Sequence, residues 1–109
     1  MKIEFTDDAR NDYLALPKNI QTECAEMINK LANNMISGQP LEDKNGRDLS
    51  DCFKIYFNNA KYRIVYRKDS SQIVTFQGIL TNEKIAEIIG IGERDMEKIY
   101  KVVAQRLGR

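Results

Sequence analysis

Apolar and polar residues alternate on both sides of Asn59-Ala60 in the stretch from Cys52 to Arg67, Cys-Phe-Lys-Ile-Tyr-Phe-Asn-Asn-Ala-Lys-Tyr-Arg-Ile-Val-Tyr-Arg. A period of two is the pattern of half-buried strands, and a turn between two such runs predicts a hairpin. With Asn59-Ala60 as the loop, Phe57 pairs with Tyr62, Ile55 with Ile64 and Phe53 with Tyr66, which gives one apolar face. Side chains alternate sides along a strand. The opposite face therefore carries Lys54, Tyr56, Arg63 and Arg67, with Tyr56 directly across from Arg63. A one-residue slip would exchange the two faces, and the apolar pairing argues against it. No acidic residue occurs between Cys52 and Lys68. Such a face suits a phosphate, although a merely solvated surface would look the same.

The remaining chain divides into short elements. Lys2 to Phe5 predicts a first strand. Thr6 caps a helix with Asp7 and Asp8 in its first turn, as the helix dipole favours, running to about Leu16, where Pro17 ends it or opens the next. Ile20, Cys24, Met27, Ile28, Leu31 and Met35 recur at helical spacing, and Gly38 with Pro40 marks a stop. Residues 6–37 thus form a helical hairpin, with Cys24 a core thiol. Gln39 to Ser50 is a polar loop containing Asn45-Gly46. Residues 69–83 fit either another strand or a covering loop. Ile85 to Ile91 suits a buried strand, though Thr81-Asn82-Glu83 equally caps a helix. Asp95 to Leu107 is a last helix with Met96, Ile99, Val103 and Leu107 in a stripe and Gly108 closing it.

Composition narrows the chemistry. With 109 residues and a formal charge of +1, one domain spanning 1–109 with a single modest core is expected. There is no membrane-length apolar run and no signal-peptide pattern, so a cytoplasmic location and no membrane partner are expected. Two cysteines at unrelated positions make no disulfide framework and no zinc site. The chain has no histidine, which removes the commonest general base, any Ser-His or Cys-His pair and the commonest metal ligand. Neither a metal nor another cofactor is expected. Acid–base work falls to Lys, Arg, Tyr, Asp, Glu or Cys.

Residues 84–100 admit two readings. Gly90-Ile-Gly92 between two helices is similar to the helix-hairpin-helix motif, whose turn amides hold a DNA phosphate. Alternatively, 85–91 is a strand joining the central hairpin, with Arg94 at a strand-to-helix junction and Tyr100 on the last helix. The order and spacing of the strand, helical hairpin, Cys-Phe-Lys-Ile, Tyr-Arg-Ile-Val-Tyr, Ile-Gly-Ile-Gly-Glu-Arg, Ile-Tyr and closing Arg-Leu favour the second. Together they resemble the RelE/ParE superfamily of toxin–antitoxin toxins, and within it the RelE-type mRNA interferases. The resemblance runs over residues 1–68 and 84–107. It implies an α+β fold: an antiparallel sheet, an N-terminal helical hairpin packed on it and a C-terminal helix at its edge. It also implies cleavage of mRNA in the ribosomal A site and inhibition by a cognate antitoxin. The family's active residues correspond to Lys54, Arg63, Arg94 and Tyr100. Two departures stand out: Tyr56 occupies a position where a second lysine is common, and 69–83 is longer than in RelE-type chains. A ParE-type DNA gyrase inhibitor, a helix-hairpin-helix DNA-binding module and an inactive interaction protein are the rival readings.

RNA supplies its own nucleophile, the 2′-hydroxyl. The protein must take that proton, stabilise a phosphorane-like transition state and protonate the departing 5′ oxygen. Arginine's fork suits the second task, which falls to Arg63 and Arg94. Neighbouring cations lower the pKa of both lysine and tyrosine, so Lys54 or Tyr56 can act as base, with Tyr100 as base or as the group orienting it. Tyr56, Lys61 and Arg67 are expected to bind RNA or its phosphate.

Overall fold

In the computed structural model the central hairpin consists of β3 (Cys52–Phe57) and β4 (Tyr62–Phe76). The structure describes residues 2–41, 49–76, 79–93 and 98–108, with side chains at all of these except 69–85 and 98. The pairs are Phe57 with Tyr62, Tyr56 with Arg63, Ile55 with Ile64 and Phe53 with Tyr66, the register that the alternation predicts. Asn59 and Ala60 both have positive φ, and Lys61 N–H donates to the Asn58 carbonyl at 3.1 Å. Asn58 is left-handed too, at φ +54°, so the connection between the strands is residues 58–61 with three successive left-handed residues, longer than the expected two-residue loop. Glu23 reaches across from a helix to accept the Asn58 N–H at 2.7 Å, tying the turn to the layer beneath.

The chain begins with β1 (Lys2–Phe5) and α1 (Asp7–Ala15), whose cap Thr6 accepts the Ala9 N–H. Pro17 precedes α2 (Lys18–Ala32). Gln21, in the first turn of α2, donates to the carbonyls of Leu14 and Leu16 and so satisfies the otherwise bare end of α1. Helix α2 stops earlier than the expected Met35. Asn34 takes φ +58°, its N–H bonds the Leu31 carbonyl, and Met35 N–H bonds the Lys30 carbonyl. That pair of bonds is a Schellman stop with asparagine in the left-handed position. Met35 keeps the helical spacing in the sequence, yet it falls outside the helix and is exposed.

Short β2 (Gln39–Pro40) pairs with β3. The polar loop expected from Gln39 to Ser50 is therefore anchored at both ends, with Leu41 and Leu49 buried; Asn45-Gly46 lies outside the described residues. Of the stretch 69–83, residues 69–76 continue β4 and residues 79–83 open β5 (Ile79–Glu93). Residues 85–91 are strand as well, which removes the helix-hairpin-helix reading. Helix α3 (Lys98–Arg106) closes the chain, with Met96 outside the described residues.

The sheet order is β1-β5-β4-β3-β2. All neighbours are antiparallel except β1, which runs parallel to β5. One face is covered by α1 and α2 over Ile55, Phe57, Ile64, Tyr66, Ile88 and Ile91. Helix α3 lies on the other face, against Val65 and Ile89, rather than at the sheet edge. This placement follows from Gly90 and Gly92: a Cβ at Gly90 would stand 2.9 Å from Val103 Cγ2, and one at Gly92 3.2 Å from Ile99 Cδ1. The Ile-Gly-Ile-Gly sequence thus serves close helix-on-strand packing. A bulge at the same place makes Ile89 the extra residue, so that Ile89 and Gly90 both face α3 while Ile88 and Ile91 face the helical hairpin.

Candidate active site

Helix α3 covers the middle of the cationic face, burying Arg63 while Lys54 and Tyr56 stay half-buried. Arg63 sits in a row of three backbone partners, with Tyr56 on one side and Gly92 on the other. The guanidinium lies between two rings. Its Cζ is 4.9 Å from the centroid of Tyr56 and 4.7 Å from that of Tyr100, which comes down from α3. Arg63 is 5% exposed and Tyr100 is 4% exposed, so stacking on both rings substitutes for much of the lost hydration. Lys54 Nζ stands 5.3 Å from the Tyr56 centroid. Lys54, Tyr56, Arg63 and Tyr100 are thus one cluster.

Two features of the cluster bear on chemistry. First, Arg63 Nε and Nη1 are buried and have no hydrogen-bond partner among the described residues. An unmade bond to a buried donor costs about 1–3 kcal/mol, a cost that the contacts with the two tyrosine rings offset in part. Second, the Tyr56 hydroxyl is pushed below the usual tyrosine pKa. The hydrogen bond from Lys54 is the leading cause, burial opposes it, and the positive charges of Arg63 and Lys54 and a hydrogen bond with Tyr100 add to the lowering. An ammonium that donates to a phenol favours its phenolate.

The other residues expected here are placed differently. Arg67 is on the same face of β4 but pairs with Glu87 across the sheet at 2.8 Å, about 13 Å of strand from Arg63. Lys61 lies exposed in the turn. Arg94 lies outside the described residues. Cys52 is fully buried in the core beneath α3.

Sequence reasoning missed the pair that holds α3. Asp12 on α1 accepts from Arg106 Nη1 at 2.6 Å and Nη2 at 3.0 Å. The same carboxylate accepts the Ile91 N–H at 3.1 Å, and Arg106 Nη1 also donates to the Ile89 carbonyl. Strand β1 covers β5 only as far as Ile88, so this ion pair completes the bare edge of β5 and clamps α3 to it. A cation in the last turn of a helix is the signal Arg106 offers in sequence; Asp12 offers none.

The profile of the family described as "ParE toxin of type II toxin-antitoxin system, parDE" matches residues 3–97. A relative named mRNA interferase toxin RelE, from Escherichia coli strain K12, is 21% identical over 105 residues, covering 96% of this chain and 95% of its own. A free-state structure of an arginine double mutant of E. coli RelE superposes with a TM-score of 0.62 at 17% identity, over 97% of this chain and 96% of that one. The intact E. coli RelBE toxin–antitoxin complex gives a TM-score of 0.53 at 17% identity, over 86% and 96%.

Proposed function

Because the chain belongs to the RelE/ParE superfamily of type II toxin–antitoxin toxins, we propose that it is an endoribonuclease that cuts mRNA in the ribosomal A site without a metal and is neutralised by a cognate antitoxin. The observation that carries this reading is Arg63, a buried cation between two tyrosines, beside a lysine–tyrosine pair. A relative named as an mRNA interferase and a family defined by toxin–antitoxin pairs support it.

The chemistry follows from the cluster. The scissile phosphate is drawn to the positive charge of Arg63 and Lys54, with Arg94 as a further cation. The Tyr56 phenolate takes the proton from the 2′-hydroxyl, whose oxygen forms the new bond to phosphorus. Arg63 stabilises the charge that grows on the non-bridging oxygens. As the bond from phosphorus to the 5′ oxygen breaks, the Lys54 ammonium protonates that oxygen, leaving a 2′,3′-cyclic phosphate and a 5′-hydroxyl. Tyr56 ends as phenol and Lys54 as amine, and since they share a hydrogen bond, one proton transfer restores both. Tyr100 holds Arg63 from above. In this scheme tyrosine at position 56, where a lysine is common in the resembling family, is the base rather than a defect.

The description of the matching family as ParE toxins favours a second reading, a gyrase inhibitor on the same fold. Primer extension on a defined mRNA in a purified translation reaction separates the two. Cuts at A-site codons that require ribosomes and disappear in Arg63→Ala support the ribonuclease. Intact mRNA in the presence of folded wild-type protein, together with inhibited DNA supercoiling by gyrase, would establish the second reading.

A further inference from the structure

A cavity of about 250 Å³ adjoins the cluster on the side away from α3, lined by Met27, Ile36, Ser37, Gln39, Lys54, Ile55 and Tyr56. It exists because β2 is so short. Gln39 pairs with Lys54 and Pro40 with Phe53, and from Ile55 onward the outer edge of β3 has no strand beside it. Met27 from α2 and Ile36 give the cavity an apolar wall, and both rest on the core under the sheet. Drug-sized ligands occupy roughly 300–1,000 Å³, so this space suits one planar ring system.

The backbone that carries the polar side chains at its mouth is held in place. Between Ser37 and Gln39, Gly38 donates its N–H to the Tyr66 hydroxyl at 2.9 Å. The approach is so close that a Cβ at Gly38 would fall 2.6 Å from that oxygen and 3.0 Å from the Lys54 carbonyl. Glycine pins the segment to the sheet, and the residues on either side are carried with it. Ser37 and Gln39 are both exposed, so their polar groups can turn to a ligand. A carboxamide offers two donors and an acceptor, the complement of a base edge. A tyrosine ring beside a hydrogen-bonding side chain is how proteins read unstacked bases of single-stranded RNA.

We infer that this cavity is a nucleobase subsite: it takes the base of the nucleotide next to the scissile phosphate, with Gln39 and Ser37 reading its edge. The inference rests on the ribonuclease reading, and it makes cutting preference a property of the segment 36–39 rather than of the cationic cluster. The phosphate is drawn to Arg63 and Lys54 while the neighbouring base turns outward past Tyr56, over the uncovered edge of β3.

Two measurements test it separately from the cleavage claim. In the first, the protein is titrated without ribosomes by four dinucleoside monophosphates that carry 2′-deoxyribose at the 5′ nucleotide, which removes the attacking hydroxyl. At least one should shift the NMR signals of the Met27 methyl, the Ile36 methyls and the Gln39 side-chain amide together, and Gln39→Ala should weaken it by about fivefold. In the second, a set of mRNAs with each of the four nucleotides at the position beside the cut is cleaved by wild type, Gln39→Ala, Gln39→Glu and Ser37→Ala. Gln39→Ala should flatten the ratio between the best and worst nucleotide by about fivefold to tenfold. Gln39→Glu, which replaces the amide donors by acceptors, should change the order of preference. Shifts confined to Lys54 and Arg63 with no response at Met27, Ile36 and Gln39 would overturn the subsite. So would cutting profiles in all three variants that superpose on wild type. If wild type cuts no mRNA, the ribonuclease reading falls, and the titration alone decides whether the cavity takes a base.

Discussion

Replacing Asp12 with alanine removes three acceptor contacts at once. Both partners are about one-fifth exposed (side-chain values 20% for Asp12 and 21% for Arg106), so the pair is more strongly felt than an ion pair on the open surface. A hydrogen bond to a charged group is worth about 1.5–3 kcal/mol. The bidentate pair together with the bond to Ile91 N–H therefore contributes about 3 kcal/mol, reduced somewhat because water can enter the gap. Domains of this size hold only about 5–15 kcal/mol in all. In urea, with a slope near 1.5 kcal/mol per molar, Asp12→Ala should lower the midpoint by about 2 M at unchanged slope. Arg106→Ala should do much the same. Because both variants break the bidentate pair, the double variant should be less destabilised than the sum by about 1.5–3 kcal/mol. Amide exchange should speed up first in α3 and along Ile89 to Ile91. If Asp12→Ala and Arg106→Ala each cost under about 0.5 kcal/mol and add simply, the clamp has been misread and apolar contacts alone seat α3.

Three further outcomes are expected. Ala60 holds φ +63°, which costs an L-residue about 1–2 kcal/mol, so Ala60→Gly should raise stability by about 0.5–1 kcal/mol after the unfolded-state entropy of glycine; a thermal melt that moves downward would contradict the turn assignment. If the Tyr56 phenolate is the base, log kcat should climb with pH and level off below the ordinary tyrosine value near 10, since its neighbours lower the pKa; Tyr56→Phe should lose that rising limb, and a wild-type profile flat from pH 6 to 9 would exclude the role. Burial pushes the Cys24 thiol up to about 12 and Cys52 is fully enclosed, so neither should react with a thiol reagent at pH 8 until denaturant is added. Rapid labelling of the native protein would show one of these cores to be open.

The hairpin register was legible because both strands alternate and the two runs agree on one pairing, so face and register were fixed together. Thr6 and the two aspartates gave the start of α1 for a similarly local reason. The end of α2 was misjudged because Met35 keeps the apolar spacing while the stop is set by Asn34 in a left-handed conformation, which asparagine tolerates but does not announce. The strand at 85–91 was ambiguous because a strand buried on both faces shows an apolar run instead of alternation. The cationic face read as exposed because nothing local to Lys54 or Arg63 tells that α3 will cover it. That covering depends on Gly90 and Gly92, whose spacing also fits a turn. Asp12 and Gln39 were illegible for the same reason: their partners or neighbours are far along the chain.

The parallel pairing of Lys2–Phe5 with Ile85–Ile88 has a consequence for biosynthesis. The first strand made must wait for nearly the last before it gains a partner, and closing so long a loop slows folding. The hairpin bearing Lys54 and Arg63 is local and can form early. Arg63 meets its second ring only when Tyr100 arrives, and the helix carrying Tyr100 is clamped only through Arg106 to Asp12 and Ile89. A chain in which α3 has not yet docked therefore owns half a site. Under the ribonuclease reading, anything that lifts α3 off the sheet disables the cluster without touching Lys54 or Arg63.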